Sequence, residues 1–207
     1  MRISKPFFAT VALASAALCS GAGQAPSASA TVPDVYRVKF ETSKGDFVIQ
    51  VNKAWAPLGA ARFYSLVQQK YYDNQRFFRV IKGFMVQFGL SGDPAASARW
   101  RNRQLRDDKV IHSNTRGMVT YAMTSEPNTR TTQVFINYAD NSRLDRDGFA
   151  PFGKVVQGME VVDSLYSGYG ESPDQGAINA QGNAYLAKSF PLMDYIKTAQ
   201  ILPTEEK

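Results

Sequence analysis

Two strongly basic side chains lie within an apolar stretch of the chain. Residues 76–90 read RFFRVIKGFMVQFGL, which places Arg79 and Lys82 among four phenylalanines. Burying a charge in such surroundings costs free energy unless something compensates the charge. A guanidinium stays charged and offers several donors in a fixed, planar arrangement. We therefore expect Arg79 either to form a structural ion pair or to act as an electrostatic group beside an apolar site.

The chain holds few groups for other kinds of catalysis. His112 is the only histidine and Cys19 the only cysteine, so a metal site built from several imidazoles or thiolates is not expected. A Ser-His-Asp arrangement would have to use His112, and no G-x-S-x-G nucleophile turn accompanies it. We interpret His112 as a surface or loop residue.

Two stretches resemble ligand-binding loops but fail at defining positions. In RLDRDG, Asp145 and Asp147 match a calcium loop, yet Arg143 and Lys154 stand at its first and twelfth ligand positions. The glycines of GYGESP, residues 168–173, do not form a dinucleotide fingerprint, because the sixth position is proline. We expect no cofactor and no metal, and a function without covalent chemistry remains.

The first thirty residues have the layout of a secretory signal peptide. Arg2 and Lys5 precede an apolar run over residues 6–19, and small residues then lead to Ala22 and Ala30. Cleavage after either alanine fits this layout. We therefore expect residues 1–30 to be a signal peptide, and the protein to be exported to a bacterial periplasm.

Two alternatives to a cleaved leader are less well supported. A membrane anchor requires roughly 20 apolar residues, and the run over residues 6–19 is shorter. A lipoprotein would need a small residue before Cys19, where the chain has Leu18. If the leader is removed, the mature chain has no thiol and so no disulfide.

Length and composition favour a single domain over residues 31–207. A chain of 207 residues that is 44% hydrophobic can bury a sizeable core. The formal net charge is +6, and loss of the two basic residues of the leader leaves +4. The basic cluster at residues 99–106 contains one tryptophan and is followed at once by two aspartates. We interpret it as a solvated loop rather than a nucleic-acid surface.

Hydrophobic periodicity predicts a mainly β domain with two helices. Alternation on either side of the turn at residues 43–46 predicts a β-hairpin. Pro57 and the apolar face that follows predict a helix that ends near Tyr71, and a second helix is predicted over residues 158–166. Short apolar runs predict further strands at 77–81, 84–88, 117–122, 133–137 and 152–156.

The C-terminal third combines a predicted loop with a last strand. Residues 167–183 are rich in Gly, Ser, Pro and Asn, which favours a long loop. Residues 185–190 are expected to add a helical turn. The pattern over residues 195–202 predicts a strand that returns to pair with the first one.

Three blocks of sequence, in this order and at these separations, resemble the cyclophilin family of peptidyl-prolyl cis-trans isomerases. They are FFRVIKGFMVQFG (77–89), YAMTSEPNTRTTQVFIN (121–137) and GFAPFGKVVQGMEVVD (148–163). The resemblance runs from about Tyr36 to Leu202. It implies an eight-stranded antiparallel closed barrel capped by two α-helices, in agreement with the strands and helices predicted above.

The resemblance also implies the site residues. The family's catalytic arginine falls on Arg79. Its proline pocket and the adjoining peptide groove fall on Phe84, Met85, Gln87, Ala122, Gln133 and Phe135, with Leu144 at the edge and Phe149 beside it. From the residues alone, Phe84, Met85 and Phe135 could be barrel core, and the two glutamines could satisfy backbone groups.

Three positions depart from the commonest eukaryotic pattern of the family. Phe78 stands where that pattern has a histidine before the arginine, Arg143 where it has a pocket tryptophan, and Phe149 where it has a second histidine. The tryptophan normally contributes to binding of the inhibitor cyclosporin, so we expect weak binding of that inhibitor. The assignment of Arg79 is unaffected.

The expected function is isomerisation of X-Pro bonds in proline-containing segments of exported proteins. We expect a monomer that uses no cofactor and neither binds nucleic acid nor remains in a membrane. One alternative is a module or chaperone that binds proline segments with little turnover. Another is a protein that binds nucleic acid or an anionic surface through residues 99–106. Arg79 favours the enzyme, because a pure binder would not need it.

Overall fold

Eight β-strands and five α-helices are present in residues 31–203, the part of the chain that the computed structural model describes. The predicted signal peptide, residues 1–30, lies outside the described residues. The strands are β1 (Val35–Thr42), β2 (Gly45–Asn52), β3 (Arg79–Ile81), β4 (Met85–Phe88), β5 (Met118–Tyr121), β6 (Val134–Asn137), β7 (Pro151–Gln157) and β8 (Ile196–Ile201). The helices are α1 (Pro57–Gln68), α2 (Pro94–Trp100), α3 (Met159–Asp163), α4 (Gln175–Gln181) and α5 (Asn183–Ser189), and a 3₁₀ helix spans Ser142–Asp145.

The predicted hairpin is formed by β1 and β2. Their register pairs Thr42 with Gly45 across a two-residue turn, and the Thr42 hydroxyl accepts a hydrogen bond from the Lys44 amide at 3.1 Å. Gly45 has φ of +127°, a conformation that residues with a Cβ rarely adopt. Val38 and Phe40 alternate with more exposed residues and are fully buried, as the period of two requires.

The eight strands form one antiparallel sheet in the order β3-β4-β6-β5-β7-β2-β1-β8. The predicted return of the last strand is confirmed, because β8 pairs with β1. The sheet is an open, curled half-barrel rather than the expected closed barrel. No ladder joins the edge strands β3 and β8 in the described chain. β3 is only three residues long, and the segment before it meets the segment before β8 at a single bridge, between Arg76 and Tyr195.

Helix α1 begins at Pro57, as the sequence predicts. Its preceding residue provides no side-chain cap, and the first-turn amides instead donate to a distant carboxylate. Leu58 and Gly59 donate to the two oxygens of Asp108 at 3.1 and 2.8 Å. A carboxylate at this end also interacts favourably with the helix dipole. The helix buries Phe63 and neighbouring apolar residues against the sheet.

Helices α2 and α4 add to the two predicted helices, and α5 lies where a helical turn is predicted at residues 185–190. In α2 and α4 an aspartate directly before the helix accepts a hydrogen bond from a first-turn amide, Asp93 from Ala95 and Asp174 from Ala177. α4 lies within residues 167–183, which were expected to form a loop. None of the helices in residues 31–203 is long and apolar enough to cross a membrane.

Two apolar clusters hold these elements. The main core joins residues of the sheet to residues of α1 and α3, and includes the stacked rings of Phe40 and Phe47 at 4.9 Å. A smaller group, here called the satellite cluster, packs α4 and α5 beside the β3 edge. Its buried members are Phe78, Leu90, Ile178, Leu186 and Met193.

Candidate active site

One cavity of about 540 Å³ opens beside strands β3, β4 and β6. The strand register pairs Arg79 with Gln87, and Gln87 with Phe135. Because directly paired residues project from the same face of a sheet, these three side chains form a row across three strands. Met85 lies two residues before Gln87 and therefore shares that face. All four line the cavity.

The fold brings the whole predicted site together. The residues that the sequence assigned to it all line this one cavity: Arg79, Phe84, Met85, Gln87, Ala122, Gln133, Phe135, Leu144 and Phe149. The sequence analysis missed seven further lining residues, namely Arg101, Gln104, Met123, Thr124, Thr129, Thr131 and Gln175. Six of these lie in the segments 101–104 and 123–131, which carry no periodic pattern, and the seventh begins α4. The sequence blocks and the basic cluster contain most of them, but no pattern marked any of the seven as a lining residue.

A chain of side-chain hydrogen bonds crosses the polar side of the cavity. Nη1 of Arg79 donates to Oε1 of Gln87 at 3.2 Å, and Nε2 of Gln87 donates to Oε1 of Gln133 at 2.7 Å. Gln87 is 6% exposed, so both of its contacts lie mostly away from water. The backbone of Gln133 is fixed as well, because its carbonyl accepts from the Ala122 amide at 2.9 Å. These bonds restrain the side chains that face the cavity.

A carboxylate that the sequence analysis did not identify pairs with Arg79. Oε2 of Glu171 accepts hydrogen bonds from Nε of Arg79 at 2.9 Å and from Nη2 at 2.6 Å. The side chains of Arg79 and Glu171 are 29% and 64% exposed. The ion pair considered for Arg79 therefore exists at the rim of the cavity, and it does not remove the arginine from the site.

Phenylalanine rings and a methionine form the apolar side. Met85 and Phe135 are 1% and 5% exposed, and the rings of Phe135 and Phe149 meet edge to face at 5.7 Å. The Arg79 guanidinium carbon lies 6.0 Å from the centre of the Phe84 ring. The cavity thus sets the Arg79 guanidinium beside an apolar surface on which a bound apolar group would be shielded from water.

The edge formed by Leu144 and Phe149 is held by a buried amide. Nδ2 of Asn114 donates to the Phe149 carbonyl at 2.7 Å and to Oδ1 of Asp145 at 2.7 Å. Asp145 also accepts from the hydroxyl of Ser113 at 2.5 Å. Burial alone would raise the pKa of Asp145, but the hydrogen bonds from Ser113 and Asn114 outweigh burial and lower it. Asp145 is therefore a bonded anchor for this edge.

The described residues contain no group of three or more histidine, cysteine, aspartate or glutamate side chains that could hold a metal ion. Asp145 is bonded to Ser113 and Asn114 instead. The residues that line the cavity include no histidine, cysteine or carboxylate. The site as described can bind an apolar ring, donate hydrogen bonds and place positive charge.

Comparisons with known proteins show the family of the chain. Residues 37–180 match the family model described as cyclophilin type peptidyl-prolyl cis-trans isomerase/CLD. The chain belongs to this family. A peptidyl-prolyl cis-trans isomerase of Acinetobacter baylyi is 37% identical over 136 residues, which cover 62% of this chain and 70% of that protein. The peptidyl-prolyl cis-trans isomerase A of Dickeya dadantii is 41% identical over 133 residues, with the same coverage.

The fold is also that of a solved cyclophilin. The crystal structure of a cyclophilin type isomerase from Cryptosporidium parvum superposes with a TM-score of 0.63 at 24% sequence identity, and covers 82% of this chain and 99% of that protein. The family model ends within α4 at residue 180. The match to this family model therefore does not include α5 and β8.

The structure shows where the three residues that differ from the common eukaryotic cyclophilin pattern lie. Phe78 is 2% exposed and lies in the satellite cluster rather than in the cavity. An apolar ring suits that position, because α4 and α5 cover it. Arg143 is exposed and holds its guanidinium carbon 4.9 Å from the centre of the Phe84 ring. Phe149 lines the cavity.

Proposed function

We propose that this cyclophilin type isomerase accelerates rotation about X-Pro bonds in exported proteins by holding the Arg79 guanidinium beside the twisted amide. The observation that carries the proposal is the joint position of Arg79 and the apolar residues Phe84, Met85 and Phe135 on one cavity. An apolar pocket accepts a proline ring, and the adjoining arginine offers charged donors to the backbone around it.

The physical task is to stabilise an amide that has lost its resonance. The barrier to rotation, roughly 18–20 kcal/mol, arises from the partial double bond between carbon and nitrogen. In the twisted transition state the carbonyl becomes less polar and the proline nitrogen regains a lone pair. The less polar group is favoured by a dry, apolar surface. A donor from Arg79 can stabilise the new lone pair or hold the neighbouring carbonyl.

The free energies that Arg79, the apolar pocket and the bound peptide can supply are of the size that the proposed acceleration requires. An acceleration of about 10⁴ corresponds to about 5.5 kcal/mol of transition-state stabilisation. One preorganised donor typically contributes about 3–4 kcal/mol. Removal of the amide from water and binding of the flanking peptide supply the remainder. The reaction needs no proton transfer, and we propose that it proceeds without a cofactor.

The test is the cis-to-trans exchange rate of a short Ala-Pro-Phe peptide, measured by NMR with the purified protein and two variants. We expect the wild type to accelerate exchange and Arg79→Ala to lose about 10²-fold or more in kcat/KM. Arg79→Lys keeps the charge but loses the planar fork, so we expect an intermediate activity. Binding of the peptide without any acceleration would contradict the enzyme and favour the binding module.

Export remains part of the proposal and rests on the sequence of residues 1–30. The proposed route is a signal peptide cleaved after Ala22 or Ala30, which releases a monomer into a bacterial periplasm, where its clients would be exported chains that contain proline. Fractionation of the producing cells and N-terminal sequencing of the mature protein test this. A cytoplasmic protein that retains Met1 would contradict export and leave the isomerase activity untouched.

A further inference from the structure

We propose that Glu171 is a positioning residue for isomerisation, which fixes the plane of the Arg79 guanidinium against the cavity. The inference rests on the proposed role of Arg79. Glu171 does not line the cavity, and it would act on the substrate only through the arginine. The contact joins residues that are 92 positions apart in the chain, so tertiary structure alone creates it.

The hydrogen-bond geometry of Arg79 identifies what Glu171 controls. A guanidinium has five N–H donors. Glu171 takes those of Nε and of one Nη2 hydrogen, and Gln87 takes one from Nη1. One donor each on Nη1 and Nη2 remains for a substrate. The guanidinium is planar, so a carboxylate bound along its Nε edge fixes the orientation of the whole group. The two remaining N–H bonds then point in fixed directions.

The backbone of Glu171 is held close to Arg79 by independent contacts. The carbonyl of Gly170 accepts a hydrogen bond from the amide of Val80, the residue after Arg79, at 3.3 Å. The Tyr169 ring packs edge to face on Tyr166 and on Phe190, each at 5.0 Å. Phe190 packs on the satellite cluster. The segment that carries Glu171 is thus anchored beside β3 without help from the ion pair.

A purely structural role for the pair would be small. Exposed ion pairs stabilise folded proteins weakly, and the Glu171 side chain is 64% exposed. An arginine side chain, in contrast, loses much rotamer freedom when it is fixed. Without Glu171, the Gln87 bond at 3.2 Å is the one side-chain hydrogen bond that the described residues leave to Arg79. Loss of the carboxylate should therefore affect catalysis more than folding.

The experiment compares Glu171→Ala, Glu171→Gln and a matched control in the peptide exchange assay, with melting temperatures recorded for each. The control is Asp163→Asn, because Asp163 forms a similar ion pair outside the cavity. Asp163 accepts hydrogen bonds from Nη1 and Nη2 of Arg116 at 3.0 and 2.5 Å, and the side chains of Arg116 and Asp163 are 49% and 41% exposed. We expect Glu171→Ala to lower kcat about tenfold with KM within about twofold, the pattern of an interaction realised in the transition state.

Two further measurements distinguish a role of Glu171 in positioning Arg79 from a role in folding. Glu171→Gln keeps an acceptor oxygen, so we expect it to recover activity to within about threefold of wild type. NMR relaxation at Nε of Arg79 should show more picosecond-to-nanosecond motion in Glu171→Ala than in Glu171→Gln or Asp163→Asn. If the alanine variant is destabilised, Glu171→Met replaces it, because methionine keeps the side-chain length without the carboxylate, and we expect the same tenfold loss of kcat.

The outcomes distinguish the two proposals. An active wild type, with both Glu171 variants as active as wild type or more so, would overturn the positioning role and leave the isomerase intact. Equal losses in Glu171→Ala and Asp163→Asn would also overturn it. A wild type that accelerates nothing would overturn the proposed function itself, and the positioning role with it.

Discussion

At the scale of single residues, Gln87 links the Arg79 guanidinium to the side-chain amide of Gln133 by hydrogen bonds. It accepts from Arg79 and donates to Gln133 while only 6% exposed. We predict that Gln87→Ala lowers kcat/KM about tenfold, which corresponds to about 1.4 kcal/mol, because it leaves groups of both neighbours without a partner. The measurement is the NMR exchange rate of the proline peptide.

A second variant shows whether this loss is specific to the cavity. Gln200→Ala removes an exposed glutamine from β8, and we expect activity equal to wild type within error. An equal loss in both variants would point to a general effect on the sheet. Unchanged activity in Gln87→Ala would show that Arg79 needs no support from its neighbour on β4.

The residues of the cavity differ in how far the sequence could reveal them. The predicted lining residues lie within or beside three sequence blocks, in which strand register fixes their mutual positions. Glu171 follows a glycine-tyrosine-glycine stretch that is typical only of turns. Its contact with Arg79 depends on the packing of Tyr169 and Phe190, and no local pattern encodes that packing.

At the scale of elements, the 3₁₀ helix Ser142–Asp145 holds one edge of the cavity through the carboxylate of Asp145. The pKa of Asp145 is lowered on folding, so the folded state favours its charged form. That contribution to the free energy of unfolding is present above the unfolded pKa, about 3.9, and is lost as the pH falls through the lower folded pKa. Stability conferred by Asp145 should thus be full at pH 7 and decline below about pH 4.

We predict that Asp145→Asn destabilises the protein by about 1–2 kcal/mol at pH 7, a value at the lower end for charged hydrogen bonds because the carboxylate is partly exposed. Urea unfolding at pH 7 and at pH 3 measures the difference from wild type. The difference should shrink at pH 3. Asp147→Asn, an exposed acid in the next turn, serves as control and should show no difference at either pH. If wild type and Asp145→Asn differ in free energy of unfolding by the same amount at both pH values, the charge of Asp145 does not contribute to stability.

Strands were easier to predict than helices, and the reasons are physical. The eight strands alternate or form short apolar runs, and all eight were expected near their observed positions. α4 has only seven residues and contains a glycine and an asparagine, which disfavour helix in isolation. Its Asp174 cap and the burial of Ile178 in the satellite cluster stabilise it. The open sheet could not be predicted either, because it results from the lack of a ladder between β3 and β8 in the described chain, which no local sequence pattern encodes.

At the scale of the whole molecule, Arg79, Arg101 and Arg143 lie in or beside the cavity, and in the part of the chain that the structure describes only the first of these is paired with a carboxylate. Glu171 offsets the charge of Arg79, whereas Arg101 lines the cavity and Arg143 lies over Phe84, both exposed. Neither of these two arginines forms an ion pair among the described residues. The chain from residue 31 onward carries a formal net charge of +4. Substrates should therefore meet a positive potential at the mouth of the site.

We predict that peptides with glutamate beside the proline have a kcat/KM about fivefold higher than peptides with lysine there at low salt, since exposed charge pairs contribute up to about 1 kcal/mol. The ratio should fall toward one in about 1 M salt, where the screening length is about 3 Å. Arg143→Gln should reduce the ratio, whereas Lys44→Gln, the same charge change in the β1–β2 turn, should not. Equal reductions in both variants would attribute the preference to net charge. A ratio of one at low salt would show that the arginines at the rim do not select substrates.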